Sequence, residues 1–336
     1  MLQDRESCSP ELRVIKTEVE VDTDLLTEHP VFYFSDGHVI LKCSNILFRV
    51  NHSLLSIQSH KLRDMLHRKA DSPTLRGALL VELDDDPADV EAFLAVLYHR
   101  LQFKFAEFNA ATFPQVAGVL RLATKYEVES LRANIMTDVI GPIYPTLLNN
   151  YLSRQALQNA ILQGGRMLVK EANPAMAITL LREVQCKDRL LLGTLFYDLS
   201  ARLASLEGAP SVYLRNLSDA DADRLIIGVA RLRWTQAMCS HLPKLRINEL
   251  QMQNPHHNAS ACYTIIDNFW TSCAIPILLR QPHTSWPVEA WNNVKVNMEH
   301  NLQQRICSHC YALLHSYVTT KELSLWNDLA GIFDLV

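Results

Sequence analysis

Glycine is scarce in this chain, 10 residues in 336, and nowhere does it gather into a loop that could cradle phosphate. Neither GxGxxG nor GxxxxGK[ST] occurs, which argues against a nucleotide-dependent enzyme. The Gly-flanked nucleophile turn of acyl-transfer enzymes is missing too. Positive charge is short: 32 Lys and Arg stand against 36 Asp and Glu, a net charge of −4. No basic field draws the chain to nucleic acid or to an anionic bilayer, and no basic cluster is dense enough to track phosphates. Long apolar runs are absent, and the opening "MLQDRESCSP" lacks the basic-then-apolar order of an export signal. Neither a membrane span nor a secretion signal is expected. These absences point to an intracellular protein, cytoplasmic or nuclear, whose eight cysteines are thiols or metal ligands in preference to disulfides.

What is present is apolar mass. At 48% hydrophobic residues, and about twice the usual domain length, the chain has material for two cores. Residues 1–29 are polar and acidic and read as a mobile tail. Within it "IKTE", Ile15 to Glu18, has the apolar-Lys-x-acid spacing of a sumoylation acceptor, making Lys16 a candidate modification site; the plainer reading is a solvated charged tail.

From Val31 the period changes. "VFYFS" is aromatic and β-branched, Asp36-Gly37 is a turn pair, and Val39, Leu41 and Cys43 alternate as strand residues do. Ser44-Asn45 then separates that run from "ILFRV", the pattern of a tight hairpin. At His52 the spacing becomes helical, with Leu54, Leu55, Ile57, Leu62, Met65 and Leu66 at short helical intervals; Lys69 to Gly77 reads as a loop and "ALLVEL" as a further strand. "DDDPADVEAFLAVLYHR" is a helix start, with Asp86 to cap, Pro87 at the first position and Asp89 at the positive end. Another helix opens at Thr112 and Pro114, and "VESLRANIMTDVI" closes the unit with Gly141-Pro142 as its stop.

These residues resemble a BTB/POZ domain. The resemblance runs from Phe32 to about Ile140 and rests on four pieces in order. They are Gly37 and Val39 in the paired strands, "FRVNHSLLSIQSHKLRDML", "LDDDPADVEAFLAVLY", and "LLRLATKYEVESLR" with its A-x-K-Y at Tyr126 and Leu131. It implies an α+β fold, a small mixed sheet covered by helical hairpins, over residues 30–142, followed by an all-α domain over 143–336. It also implies a non-catalytic adaptor that works by docking protein partners. Those partners would be a second copy of the chain or a cullin of a ubiquitin ligase, with a transcriptional regulator as a further alternative. The implied docking face is Leu54, Leu55, His60, Met65, Lys69 and Asp71.

Three positions depart from the family's pattern. Asn51 stands where a His is usual. His38 and His52 replace the Asp and the basic residue that form a charged surface pocket in repressor-type members. Lys69-Ala70-Asp71 lacks the apolar anchor of the cullin-binding triplet. Before the first strand, only Leu25 and Leu26 could serve the extra dimer helix of long-form members.

Beyond Tyr144 the sequence is helical almost throughout and is similar to the partner region of a group of fungal BTB proteins. The likeness lies in "AITLLREVQCKDRLLLGTLFYDLS", "RLIIGVARLR" and a terminal "LWNDLAGIFDL". Helix openings are marked by Pro174 and by Ser218 with Asp219 and Asp221. Cys307-Ser-His-Cys310 could grip one Zn²⁺ with Cys262 and Cys273 completing a tetrahedron; the alternative is a helix on which cysteines at i and i+3 pack as small apolar residues. His256-His257 read as exposed loop residues. Trp234, Trp270, Trp286, Trp291 and Trp326 are expected to fill the core or a lid in preference to forming a ligand cage.

Overall fold

The computed structural model describes residues 26–67, 72–99, 109–163, 173–205, 214–239, 259–279 and 286–335. These fall into two compact units: the described residues up to 99 together with Pro114–Ile135, and those from Met136 onward together with 109–113. Each is described separately.

The first unit is built on a five-stranded mixed sheet, ordered β1-β3-β2-β5-β4. Its strands are β1 Thr27–Tyr33, β2 Val39–Cys43, β3 Ile46–Val50, β4 Thr74–Leu75 and β5 Ala78–Leu83. The hairpin joining β2 and β3 turns at Ser44, whose φ of 51° lies in the left-handed region. β1 begins at Thr27, ahead of the Val31 where aromatic and β-branched residues first cluster, and the two-residue β4 falls inside the stretch that reads as a loop. Edge strand β1 is broken by design of its residues. Pro30 has no donor, and the buried His29 accepts the Val31 and Phe32 N–H groups on Nδ1 at 3.2 and 3.0 Å. Its pairing register shifts between Glu28 and Tyr33, so the edge is a poor template for another strand.

One sheet face carries Ile40, Leu47, Leu75, Ala78 and Leu80, with Leu26 and Tyr33 packed against them. Leu26, half of the apolar pair before the first strand, is half-buried against this sheet face, and Leu25 lies outside the described residues. The other face packs Leu41 against helices α1 His52–Gln58, α2 His60–Leu66, α3 Pro87–His99 and α4 Phe113–Lys125, through Leu55, Leu62, Phe93, Leu94, Leu122 and Tyr126. Gly37 is required by close approach: a Cβ there would lie 2.8 Å from Arg49 Cγ and 2.9 Å from the Val50 nitrogen.

Asn51 precedes α1 but makes no side-chain cap. Instead Tyr98 on α3 accepts the Asn51 N–H at 2.8 Å and donates to Asn51 Oδ1 at 3.1 Å. One phenol thus stitches α3 to the β3–α1 corner. We expect Tyr98→Phe to lower stability by about 1–3 kcal/mol, because two partly buried backbone and amide groups lose their partner; thermal unfolding of the full chain measures it.

The helical run from Glu129 does not stop at Gly141-Pro142. It passes through a π segment, Ile135–Ile140, into Gly141–Ile143. The same arrangement recurs in the second unit, where Ala259–Phe269 (α10) passes through a π segment, Trp270–Ala274, into Ile275–Leu279 containing Pro276. In both places Pro is the second residue after a widened turn, where its ring does not clash with a carbonyl one turn back and its missing N–H breaks no regular bond. A stop signal thus becomes a π bulge.

The second unit is all-helical among its described residues from Met136 on. Asn173 caps α7, Pro174–Glu183, by accepting from Ala175 N at 3.0 Å. Ser218 caps α9, Asp219–Cys239, and the buried Asp221 inside it pairs with Arg182 and Arg224, each at 3.0 Å. Trp270, Trp286, Trp291 and Trp326 are core residues, whereas Trp234 is 69% exposed. The run Ala261–Leu279 is long and apolar enough to cross a membrane by length and composition, with a third of it buried. That corrects the expectation that no segment approaches this threshold. Of its six buried residues, Cys262, Ile266, Trp270, Ala274 and Leu278 recur every four positions and Phe269 adjoins Trp270, the stripe of a helix packed on one side against protein.

Candidate functional site

The docking face read from the sequence centres on the α1–α2 hairpin, and the structure divides its residues. Leu55 is core, 1% exposed; it cannot meet a partner, because it turns inward with Leu62 and Leu66. Met65 is half-buried and lines the same interior as Leu62 and Phe93. Leu54 is half-buried and His60 exposed. Lys69 and Asp71, like Lys16, His256 and His257, lie outside the described residues. Ile57 is the apolar side chain that reaches solvent, at 77% exposure. Its spacing held the signal: two residues beyond Leu55 on a helix is about 200° around the axis, so both cannot be inside.

Beside the hairpin lies an open depression lined by His38, Val39, His52, Ser53, Leu66, His67, Gly77 and Leu79. Among the described residues, no carboxylate, Lys or Arg lines it. His38 and His52, the two positions read from the sequence as departing from a charged pair, both line it, together with His67.

The A-x-K-Y segment has a structural use. Lys125 Nζ donates to Asp84 at 2.6 Å and Asp85 at 2.7 Å, and the Tyr126 hydroxyl donates to the second Asp85 oxygen. These bonds anchor the end of α4 to the acidic turn after β5. Burial, followed by Asp85, holds the Tyr126 hydroxyl well above the usual phenol range, and burial likewise pushes the Cys43 thiol up to about 12. Neither group is set up as a nucleophile.

A family model for the BTB/POZ domain matches residues 34–140. That span holds the β2–β3 hairpin, the two short helices, the capped α3 and the closing helices just described. The chain carries a BTB/POZ domain. Such a domain is a module through which proteins bind one another, and generally not a catalytic one. No curated protein and no solved structure matches the chain.

Outside the BTB domain the described residues hold one group of side chains that could share a metal ion. The Sγ atoms of Cys262, Cys307 and Cys310 all lie within 4.8 Å of one another. Cys307 is not on the helix but caps it, preceding α12, Ser308–Asn327, and its sulfur accepts the Cys310 N–H at 3.4 Å. The Cys307 N–H in turn donates to Cys262 Sγ at 3.5 Å. Cys262 and Cys310 are buried and Cys307 is exposed. Burial opposes ionisation of Cys307, but bonds from the Cys310 N–H and thiol, the His309 N–H and the Cys262 thiol outweigh it and hold the thiol below its ordinary range. Burial, then Cys307, pushes the Cys310 thiol up to about 12. Cys273, the fourth residue of the expected set, is not in this group. It lies eleven residues beyond Cys262 in one helical run, an axial distance of about 16 Å, too far to share an ion.

Proposed function

We propose that this chain is a non-catalytic adaptor that grips a protein partner through the α1 face of its BTB domain, with a second copy of the chain as occupant. One observation carries the reading: Ile57 is left 77% exposed on a seven-residue helix. Leu54, one turn earlier and half-buried, extends the apolar spot, while the exposed Ser53, His60 and Lys61 surround it with polar groups, the anatomy of a small interface. Burying an aliphatic side chain of this size contributes about 1.5–3 kcal/mol. BTB domains act in dimerisation or in cullin binding, and the missing apolar anchor at Lys69-Ala70-Asp71 favours the first. The net charge of −4 and the lack of a DNA-reading element count against a transcriptional regulator that contacts DNA itself.

Light scattering on the full chain over a range of concentrations tests this. The wild type is expected to reach the mass of a dimer, and Ile57→Asp to remain a monomer with an unchanged melting temperature, since the side chain contributes little to the core. A wild type that stays monomeric at every concentration removes the self-association reading. Binding of a cullin N-terminal region by that monomer would replace it with the ligase-adaptor one.

A further inference from the structure

We propose that Cys262, Cys307 and Cys310 form a binding site for a single thiophilic divalent ion, Zn²⁺, clamping the start of α10 to the start of α12. Three thiols from two distant chain segments converge within 4.8 Å, which random burial of cysteine as a small apolar residue does not require. Zn–S bonds of about 2.3 Å place tetrahedral sulfurs about 3.8 Å apart. Closing the triad around an ion therefore needs only small side-chain rotations.

The surroundings suit thiolate ligands. Two sulfurs already accept backbone N–H groups, Cys307 Sγ from Cys310 and Cys262 Sγ from Cys307. Such bonds orient metal-bound sulfurs and offset part of their charge. The triad also sits where the twenty-residue helix α12 begins, so the positive end of that helix favours the developing thiolates. Each thiol gives its proton to solvent as its Zn–S bond forms, and nothing is oxidised or reduced. With Cys262 and Cys310 buried and Cys307 exposed, the ion has an entry path on the Cys307 side and is otherwise enclosed. A fourth ligand comes from outside the triad, as zinc with three protein ligands ordinarily takes one.

The placement also assigns the ion a consequence. Cys262 belongs to the run that continues through Trp270 to Leu279, and Cys310 to a helix that reaches Asn327. Joining their first turns cross-links residues 45 apart or more in sequence, which restricts the unfolded chain far more than the folded one.

Metal analysis of the full-length protein, purified under reducing conditions without chelator, tests the site. The expected result is about one zinc per chain. Cobalt(II) added to the zinc-stripped protein should then give thiolate charge-transfer absorption that zinc abolishes. Cys262→Ser and Cys310→Ser should lose both signals while Cys273→Ser keeps them, and a chelator should lower the melting temperature of the wild type but not of Cys262→Ser. Because the cobalt titration uses the wild-type chain, a variant that fails to fold leaves the test intact. Protein that binds neither zinc nor cobalt, or that loses binding with Cys273→Ser while keeping it with Cys262→Ser, overturns the proposal. So does a Cys307–Cys310 disulfide formed in place of metal binding.

Discussion

Glu289→Leu is expected to destabilise the helical unit by about 3–5 kcal/mol, while Glu289→Gln costs about 1 kcal/mol or less. Glu289, in the first turn of α11, Pro287–Leu302, is half-buried and accepts hydrogen bonds from the hydroxyls of Tyr151 at 2.7 Å and Tyr197 at 2.6 Å. Tyr151 and Tyr197 are themselves fully buried, and Tyr197 also accepts the Val288 N–H at 2.9 Å. Leucine fills the volume but leaves two phenols without an acceptor, each costing about 1–3 kcal/mol. Glutamine keeps one acceptor, offers one donor and removes a half-buried charge. The two substitutions therefore separate hydrogen bonding from charge.

Their pH dependence separates the two further. Burial raises the Glu289 pKa, the two tyrosines pull it down, and burial prevails; the buried Asp198, paired with Arg202 at 2.9 Å and Arg154 at 3.6 Å, adds to the rise. A carboxyl that binds its proton more tightly when folded supplies stability below its unfolded pKa, about 4.3. That stability drains as pH climbs through the folded value. Wild-type stability should fall across that interval, and Glu289→Gln should flatten the slope. All five tryptophans, Trp234 to Trp326, lie in this half of the chain, so denaturant unfolding followed by tryptophan fluorescence reads the helical unit directly. A Leu variant as stable as Gln would show that the tyrosines find other partners.

Much of the BTB domain was legible because its signals are local. A cap at Asp86 with Pro87, a two-residue turn at Ser44-Asn45 and a change of period at His52 each act within a few residues, and each recurs in the structure. Where the reading failed, the deciding feature was three-dimensional geometry that the residue pattern does not carry. Pro142 reads as a stop only for a helix with a regular bond pattern, and a π segment removes that condition. Leu55 and Ile57 look alike in a list of apolar residues, but which of them turns inward depends on Leu41 and Phe93, contributed by β2 and α3. The cysteine cluster was half visible for the same reason. C-x-x-C is a local pattern, and Cys307 and Cys310 stay together; their third member had to come from elsewhere, and two cysteines on one helical run were equally eligible by composition. Axial rise along that run separates them, and a thiol-to-thiol distance is what the sequence does not contain.

Phe333→Ala is expected to cost about 3–5 kcal/mol, which would make the last turn of the chain as important as any core helix. The segment "LWNDLAGIFDL" ends in a short helix, α13, Leu329–Ile332, and Phe333 beyond it is fully buried, with its ring 5.4 Å from Phe196 on α8, Arg189–Ser205. Two of the chain's ten glycines make room for it. A Cβ on Gly228 would lie 2.0 Å from Phe333 Cδ1, and one on Gly193 would lie 3.1 Å from Leu329 Cβ. Glycine inside a helix costs about 1 kcal/mol relative to alanine, so in a chain this poor in glycine the two notches mark where another segment must approach. Arg231 holds the arrangement by donating to the Gly331 and Ile332 carbonyls at 3.1 and 3.0 Å. A double-mutant cycle exposes the logic. Gly228→Ala alone drives a methyl group into the ring and should destabilise by several kcal/mol. In the Phe333→Ala background the clash is gone, helix propensity dominates, and the same change should stabilise by up to about 1 kcal/mol. Fluorescence-monitored unfolding of the four proteins would show that reversal of sign; strict additivity would mean Gly228 is there for some reason other than Phe333.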